Sequence, residues 1–269
     1  VIAQAVRSAL FYLLYLGQTT ILALVIGSIA ITRGRTPLGW ALARYWGQSN
    51  LVFLRWMVGI KSRVEGTQHI PPGGCIIAAK HQSDWDIFAI LPHTQGKPAF
   101  IAKRQLLDIP FFGWAARAFD TIRVDRSRGG EAVPMMLADA RASIGKGCKI
   151  VIFPEGTRRA PLDEPDYRYG VARLYSALNV PVVPVALNSG LFWGRNSLLL
   201  WPGTAKARFL PPIHPGLGEA EFMAALQDAI ETGTNELIAE AHIAGLARPI
   251  PPDLRTKLDA LAGFKPMED

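Results

Sequence analysis

"CIIAAKHQSDWDIFAI", residues 75–90, passes from a five-residue apolar run into a knot of polar side chains and back into apolar sequence. The small and β-branched residues at 75–79 read as a buried strand, and the pattern at 85–92 as a helix packed on it. The polar residues therefore occupy a strand-to-helix turn. The same alternation continues outward from this point. Strands are expected at 98–102 ("PAFIA"), 149–153 ("KIVIF"), 180–187 ("VPVVPVAL") and 205–212 ("AKARFLPP"). Helical patterns cover 106–118, 131–145, 169–178 and 219–245, with a short surface helix near 254–261. The order predicts an α/β fold with a largely parallel sheet flanked by helices. Ligands of such sheets collect beyond the carboxyl ends of the strands. The polar residues after Ala79 and the "PEGTR" after Phe153 are thus expected to face one crevice.

His81 stands five positions before Asp86. On a continuous helix that separation turns two side chains about 140° apart, so the histidine has to precede the helix if the two are to meet. Ser83 and Asp86 form an S-x-x-D capping box, which explains those two residues and leaves His81 unexplained. From the turn, His81 can fold back so that Asp86 accepts from Nδ1–H and Nε2 is left as a base. Taken alone, the H-x4-D spacing is common by chance.

The second polar cluster ends a buried strand: "IVIFPEGTRR", residues 150–159. Pro154 stops the sheet and Gly156 permits a tight turn. Arg158 offers a planar fork of donors suited to phosphate. The plain alternative is a surface turn with a solvated Glu/Arg pair.

Upstream, Ser8 to Thr32 contains no acidic or basic residue over 25 positions. At about 1.5 Å per residue such a helix exceeds a ~30 Å hydrocarbon core. Pro37 to Ile60 mixes Arg44 and Arg55 with Trp40, Tyr45, Trp46 and Trp56, a composition suited to the bilayer interface. Residues 1–60 are expected to form a membrane-embedded helical hairpin, a single span being the alternative, and residues 61–269 an α/β domain. Arg7, Arg33 and Arg35 flank the apolar segment on both sides, so charge does not orient it.

Composition agrees with a lipid environment: 49% of residues are hydrophobic and the mean hydropathy is +0.17. A net charge of +7 suits anionic substrates, an acidic carrier or anionic headgroups. Nucleic acid is not indicated, since zinc-finger spacing, an RNP-like motif and a long basic run are all missing from the sequence. Cys75 and Cys148 have neither metal nor redox spacing. A G-x-S-x-G nucleophile elbow is also missing.

The pairing of "HQSDWD" (81–86) with "FPEGTR" (153–158) resembles the glycerolipid acyltransferase family. "AKRQLLDIPFFGWAARAFDTIRVDRS" (102–127) is similar to that family's middle motif and "VPVVPVAL" (180–187) to its last, so the likeness runs over roughly residues 60–215. The resemblance implies a membrane-bound enzyme of phospholipid biosynthesis that acylates lysophosphatidic acid to phosphatidic acid. It makes His81 the general base and Asp86 its orienting partner. It assigns the substrate phosphate to Arg126, assisted by Lys103, and the shaping of the acceptor site to Glu155, Gly156 and Thr157, with Arg158 as a second phosphate ligand. Phe111, Phe112 and Trp114 become candidate walls for an acyl chain. No metal or cofactor is implied, the acyl donor being a thioester of coenzyme A or acyl-carrier protein. The bilayer is the expected partner, with the active site on the cytoplasmic face of a bacterial inner membrane. One departure is visible: Tyr169 stands where the family more often has a basic residue, with Arg168 one step earlier. Rival readings are acylation of another lysolipid such as a lyso-ornithine lipid, transacylation between phospholipids, and a non-catalytic membrane-binding protein.

Overall fold

The structure, a computed structural model, describes residues 1–33, 36–94, 98–109, 112–117, 119–124 and 131–263. Helix α1 (Ile2–Arg33) opens the chain and packs antiparallel on α2 (Pro37–Phe53). Its apolar stretch, Ile2–Thr32, is long and apolar enough to cross a membrane by length and composition. Thr36 starts α2 in extended conformation, its hydroxyl accepting from the Gly39 N–H at 3.2 Å, and Pro37 occupies a position where no N–H is needed. Two polar stitches join the helices: Gln18 Nε2 donates to Ser49 Oγ at 2.7 Å and Trp46 Nε1 to Thr19 Oγ1 at 2.9 Å. In an apolar medium such bonds add to helix packing.

After a π-helical turn at Leu54–Val58, Gly59 takes a left-handed φ of +91° and releases the chain into the sheet. Strands β1 (Ile60–Glu65) and β2 (Cys75–Ala79) come first, then α3 (Trp85–Ile90) and β3 (Pro98–Lys103). Helices α4 (Arg104–Leu107) and α5 (Phe112–Arg117), strand β4 (Ile122–Val124), α6 (Ala132–Gly145) and β5 (Lys149–Ile152) follow. The chain continues through α7 (Gly170–Leu178), β6 (Val182–Leu187), β7 (Gly203–Phe209), α8 (Glu219–Ile243) and α9 (Pro252–Ala262).

Among the described residues the strands form one seven-stranded sheet in the order β1-β7-β6-β2-β5-β3-β4. Every neighbouring pair is parallel except β6 and β7. The central strands are buried on both faces, with all of β2, β5 and β6 inaccessible, as expected where helices cover a parallel sheet. One core layer joins β2, β6 and β7 to α3 and to Phe11, Leu54 and Val58 of the N-terminal region. The other packs α6, α7 and α8 on the opposite face. The first half of α1 is tied down by polar contacts: Gln4 Nε2 donates to the Leu200 carbonyl at 2.7 Å and Tyr12 OH to that of Ser197 at 2.8 Å. Phe11 stacks edge-on against Trp193. Leu13, Leu16, Ile21, Val25 and Ile31 remain exposed along the rest of the helix.

One sequence expectation is corrected and two strands are added. The pattern at 106–118 is two short helices, Arg104–Leu107 and Phe112–Arg117, which approach so closely that a Cβ on Gly113 would lie 1.8 Å from the Leu107 carbonyl oxygen. Strands β1 and β4 escape sequence reading. The first is an edge strand of sequence IKSRVE with three exposed residues in a row, and the second is three residues long.

Candidate active site

Strand β2 stops at Ala79 and α3 begins only at Trp85, so His81 lies in the connecting turn, outside the helix. Its Nδ1 is 2.9 Å from Asp86 Oδ2. The same oxygen accepts the main-chain N–H groups of Gln82 at 2.7 Å and Ser83 at 3.0 Å. The capping box is thus half formed: Asp86 reaches back to the Ser83 N–H, but the Ser83 hydroxyl turns away and donates to Ser189 Oγ at 2.8 Å. One carboxylate both caps the turn and holds the imidazole. Asp86 is fully buried, whereas the His81 side chain keeps 16% of its surface. With Nδ1–H donating to the carboxylate, Nε2 is the acceptor nitrogen, and among the described residues it has no hydrogen-bond partner. The ring is held flat against Phe153, centroids 4.0 Å apart and planes 22° from parallel.

The PEGTR turn closes on the same side. Gly156 adopts φ +65°, the left-handed region that suits glycine, and its N–H donates to the Phe153 carbonyl at 2.9 Å. Glu155 points inward and is buried. Its Oε2 accepts from the His81 N–H at 3.4 Å and its Oε1 from Lys80 Nζ at 2.9 Å. Lys80, itself buried, also donates to Glu231 Oε1 of α8 at 2.7 Å, and Tyr167 OH donates to that oxygen at 2.7 Å. Burial pushes the Glu155 carboxyl above the usual range; Lys80 opposes the shift and Glu231 reinforces it. Burial and then the Glu231 charge likewise push the Tyr167 phenol up. Two carboxylates sharing one ammonium make a cluster that is stable only while the lysine stays in place.

Arg158 Nη1 lies 3.2 Å from Asp84 Oδ1, with each side chain about a third exposed (33% and 32%). Burial raises the Asp84 carboxyl, and the Arg158 charge pulls it back. Thr157 is half-buried beside them. Lys103 ends β3, and its side chain is exposed on the carboxyl edge shared by β2 and β5. Arg126, Phe111 and the side chain of Phe112 lie outside the described residues. Trp114 of α5 is partly exposed where α5 crosses α1, and a Cβ on Gly27 would come 3.0 Å from its Cβ. Arg168 and Arg159 both pair with Asp166, at 2.9 and 2.6 Å.

The geometry therefore brings together His81, Asp86, Glu155, Gly156, Thr157 and Arg158, with Lys103 on the same edge. Sequence reading missed Lys80, Asp84, Ser189 and Glu231. Lys80 had one signal, a lysine ending an apolar strand. Glu231 had a weaker one, a carboxylate beside Leu226, Ile230 and Leu237 on the buried stripe of α8.

A model of the acyltransferase family matches residues 61–188. A 1-acyl-sn-glycerol-3-phosphate acyltransferase of Pseudomonas aeruginosa is 30% identical over 240 residues, covering 88% of this chain and 92% of that protein. The chain belongs to the acyltransferase family. Human 1-acyl-sn-glycerol-3-phosphate acyltransferase alpha is 28% identical to this acyltransferase over 201 residues, 74% of this chain and 70% of its own. The crystal structure of the 1-acyl-sn-glycerophosphate (LPA) acyltransferase from Thermotoga maritima shares the fold, with a TM-score of 0.69 at 23% identity. That match covers 87% of this acyltransferase and 97% of the Thermotoga chain.

Proposed function

We propose that this acyltransferase moves a fatty acyl group from a thioester of coenzyme A or acyl-carrier protein to the free sn-2 hydroxyl of lysophosphatidic acid, giving phosphatidic acid. The observation that carries the reading is the 2.9 Å contact between His81 Nδ1 and Asp86 Oδ2, with Nε2 unpartnered among the described residues on a side chain that keeps solvent access. The names of the Pseudomonas and human relatives support the choice of acceptor.

In the proposed reaction the acceptor hydroxyl donates to His81 Nε2 and its oxygen attacks the thioester carbonyl. The hydroxyl proton passes to Nε2, and the new C–O bond forms as the tetrahedral adduct builds. Collapse of the adduct breaks the C–S bond, and the imidazolium returns its proton to the departing sulfur, which leaves as the free thiol. Asp86 stays ionised and stabilises the imidazolium throughout. General-base assistance of this kind contributes roughly 10²–10⁴ in rate. Arg158, Lys103 and Arg126 hold the phosphate, so that positioning supplies a further part. Glu155 acts from below by holding the His81 N–H, while Gly156 and Thr157 shape the acceptor side. The scheme calls on no metal or redox group.

Residues 1–60 serve in this reading as a membrane-embedded hairpin joined to the catalytic domain of 61–269, keeping the acyl chains in lipid while the polar groups react. The side we assign is the cytoplasmic face of a bacterial inner membrane. The test is an acyl-transfer assay on the purified full chain with radiolabelled oleoyl-coenzyme A or oleoyl-acyl-carrier protein. Lysophosphatidic acid should be the preferred acceptor over lysophosphatidylcholine and lyso-ornithine lipid, and His81→Ala should abolish transfer. Preference for either of the other lysolipids, transfer without any thioester, or full activity of His81→Ala would each overturn the reading.

A further inference from the structure

Asp86 carries more contacts than a partner for one imidazole requires. Its Oδ2 serves His81, Gln82 and Ser83, and its Oδ1 lies 2.5 Å from Ser189 Oγ. Ser189 follows β6 and lies beyond the region matched by the family model, 106 residues along the chain from Ser83. Ser83 Oγ is 2.8 Å from Ser189 Oγ and 3.2 Å from Asp86 Oδ1, so the three groups form a closed cluster. Each is buried. A carboxylate donates nothing, so Ser189 gives its proton to Oδ1, and Ser83 is placed to donate either to Ser189 Oγ or to the same carboxylate oxygen.

The position of Ser189 is firmly set. Asn188, just before it, accepts from the Lys206 N–H at 2.8 Å and donates to the Leu237 carbonyl at 3.0 Å, pinning the end of β6 between β7 and α8. Gly190, just after it, donates its N–H to Gln82 Oε1 at 2.9 Å. A Cβ on Gly190 would lie 3.0 Å from Pro161 and 3.1 Å from the Gln82 side chain, so the turn sits close against the His81 loop. Arg248 Nη1 adds contacts to the Gly190 and Leu191 carbonyls.

We propose that Ser189 is a positioning residue of the dyad, whose hydroxyl orients Asp86 and draws off part of its charge, thereby setting how strongly His81 holds a proton. The proposal rests on the His81–Asp86 reading above and extends it to a residue buried behind the carboxylate. Removing the Ser189 proton concentrates negative charge on the carboxylate. The imidazolium beside it is then better stabilised, and the neutral base needed for attack appears only at higher pH. The other charged and titratable groups facing the pair are unchanged by the substitution. They are Asp84 and Arg158 at the front, Glu155 behind the His81 N–H with Lys80 and Glu231 beyond it, and the phenols of Tyr12 and Tyr15 facing Asp84 from α1.

The experiment measures kcat and KM from pH 5 to 9 for the full chain with oleoyl-coenzyme A and lysophosphatidic acid, comparing the parent with Ser189→Ala, Ser189→Cys and His81→Ala. Ser189→Ala should lower kcat about ten- to a hundred-fold, the range of one hydrogen bond to a charged group, with both KM values within about twofold. The acidic limb of its rate profile should move to higher pH. Ser189→Cys keeps a weaker donor of similar size and should fall between the two. It also carries the test should Ser189→Ala not fold. An unmoved acidic limb in either variant, with a rate loss no larger than the loss of folded protein, would overturn the proposal and leave the dyad standing. Activity in His81→Ala would remove the dyad itself.

Discussion

The main-chain N–H of Arg159 donates to the His81 carbonyl oxygen at 2.8 Å. Together with the bond from the His81 N–H to Glu155, it clasps the histidine peptide on both sides by residues 155–159. Two segments about 75 residues apart therefore behave as one hydrogen-bonded piece, and disturbance of either is transmitted to the imidazole. Networks of this kind are stiff when complete and costly when broken.

Lys80→Met removes the ammonium that pairs with both Glu155 and Glu231 and leaves both carboxylates close together, one of them fully buried. Breaking a buried pair in this way destabilises by about 3–5 kcal/mol, which for a chain of this size lowers the thermal unfolding midpoint by roughly 10 °C. A midpoint unchanged within a degree or two would show that the cluster contributes nothing.

Glu155→Gln should change the pH dependence of stability. Burial raises the Glu155 carboxyl in the folded protein, so the native state holds its proton to higher pH than the unfolded chain does. The stability from this group is present below the ordinary glutamate range and is lost as pH rises through the raised folded value. Glutamine has no such titration. The melting temperature of the variant should gain on that of the parent between pH 4 and pH 8, and thermal melts across that range would reveal a constant difference if the shift is absent.

Arg158→Ala should raise KM for lysophosphatidic acid about tenfold and leave kcat within about threefold, as expected for a contact made equally in ground and transition states. Asp84→Asn should do the reverse and lower KM, because the carboxylate 3.2 Å away competes with the substrate for the guanidinium. Steady-state kinetics on both variants decide it, and an acceptor KM indifferent to Arg158 would remove that residue from the phosphate site.

Gly113→Ala places a methyl group where the Leu107 carbonyl already lies. The obstacle is backbone, which cannot swing aside, so the α4–α5 corner has to open at a cost of about 1–3 kcal/mol. Limited proteolysis of the variant should show new cutting between residues 104 and 117, and an unchanged pattern would mean the corner is pliable.

Much of this could be read in advance because local rules and tertiary packing agree. The strand at 75–79, the helix that follows and the turn between them announce themselves through apolar runs bounded by polar residues, and the fold class follows from their repetition. The strand at 60–65 did not, since an edge strand with one face in water carries charges that look like a loop. Ser83 and Asp86 were legible as a cap, yet the serine hydroxyl turned to Ser189, a partner no local pattern could supply. Lys80 drew no notice in the sequence and is one of the most deeply buried side chains.

What the sequence determined by itself was periodicity and proximity: an α/β body, a long apolar segment at residues 8–32, and a histidine placed just outside a helix within reach of a carboxylate five positions on. Those features depend on residues near one another along the chain. Which charges would be buried, that Lys80 would be shared by two acids, and that Ser189 would bond to Asp86, depended on the parallel sheet setting the ends of β2, β5 and β6 side by side. Hydrogen bonds between groups a hundred residues apart follow from that packing alone, because nothing in the local sequence records which strand becomes whose neighbour.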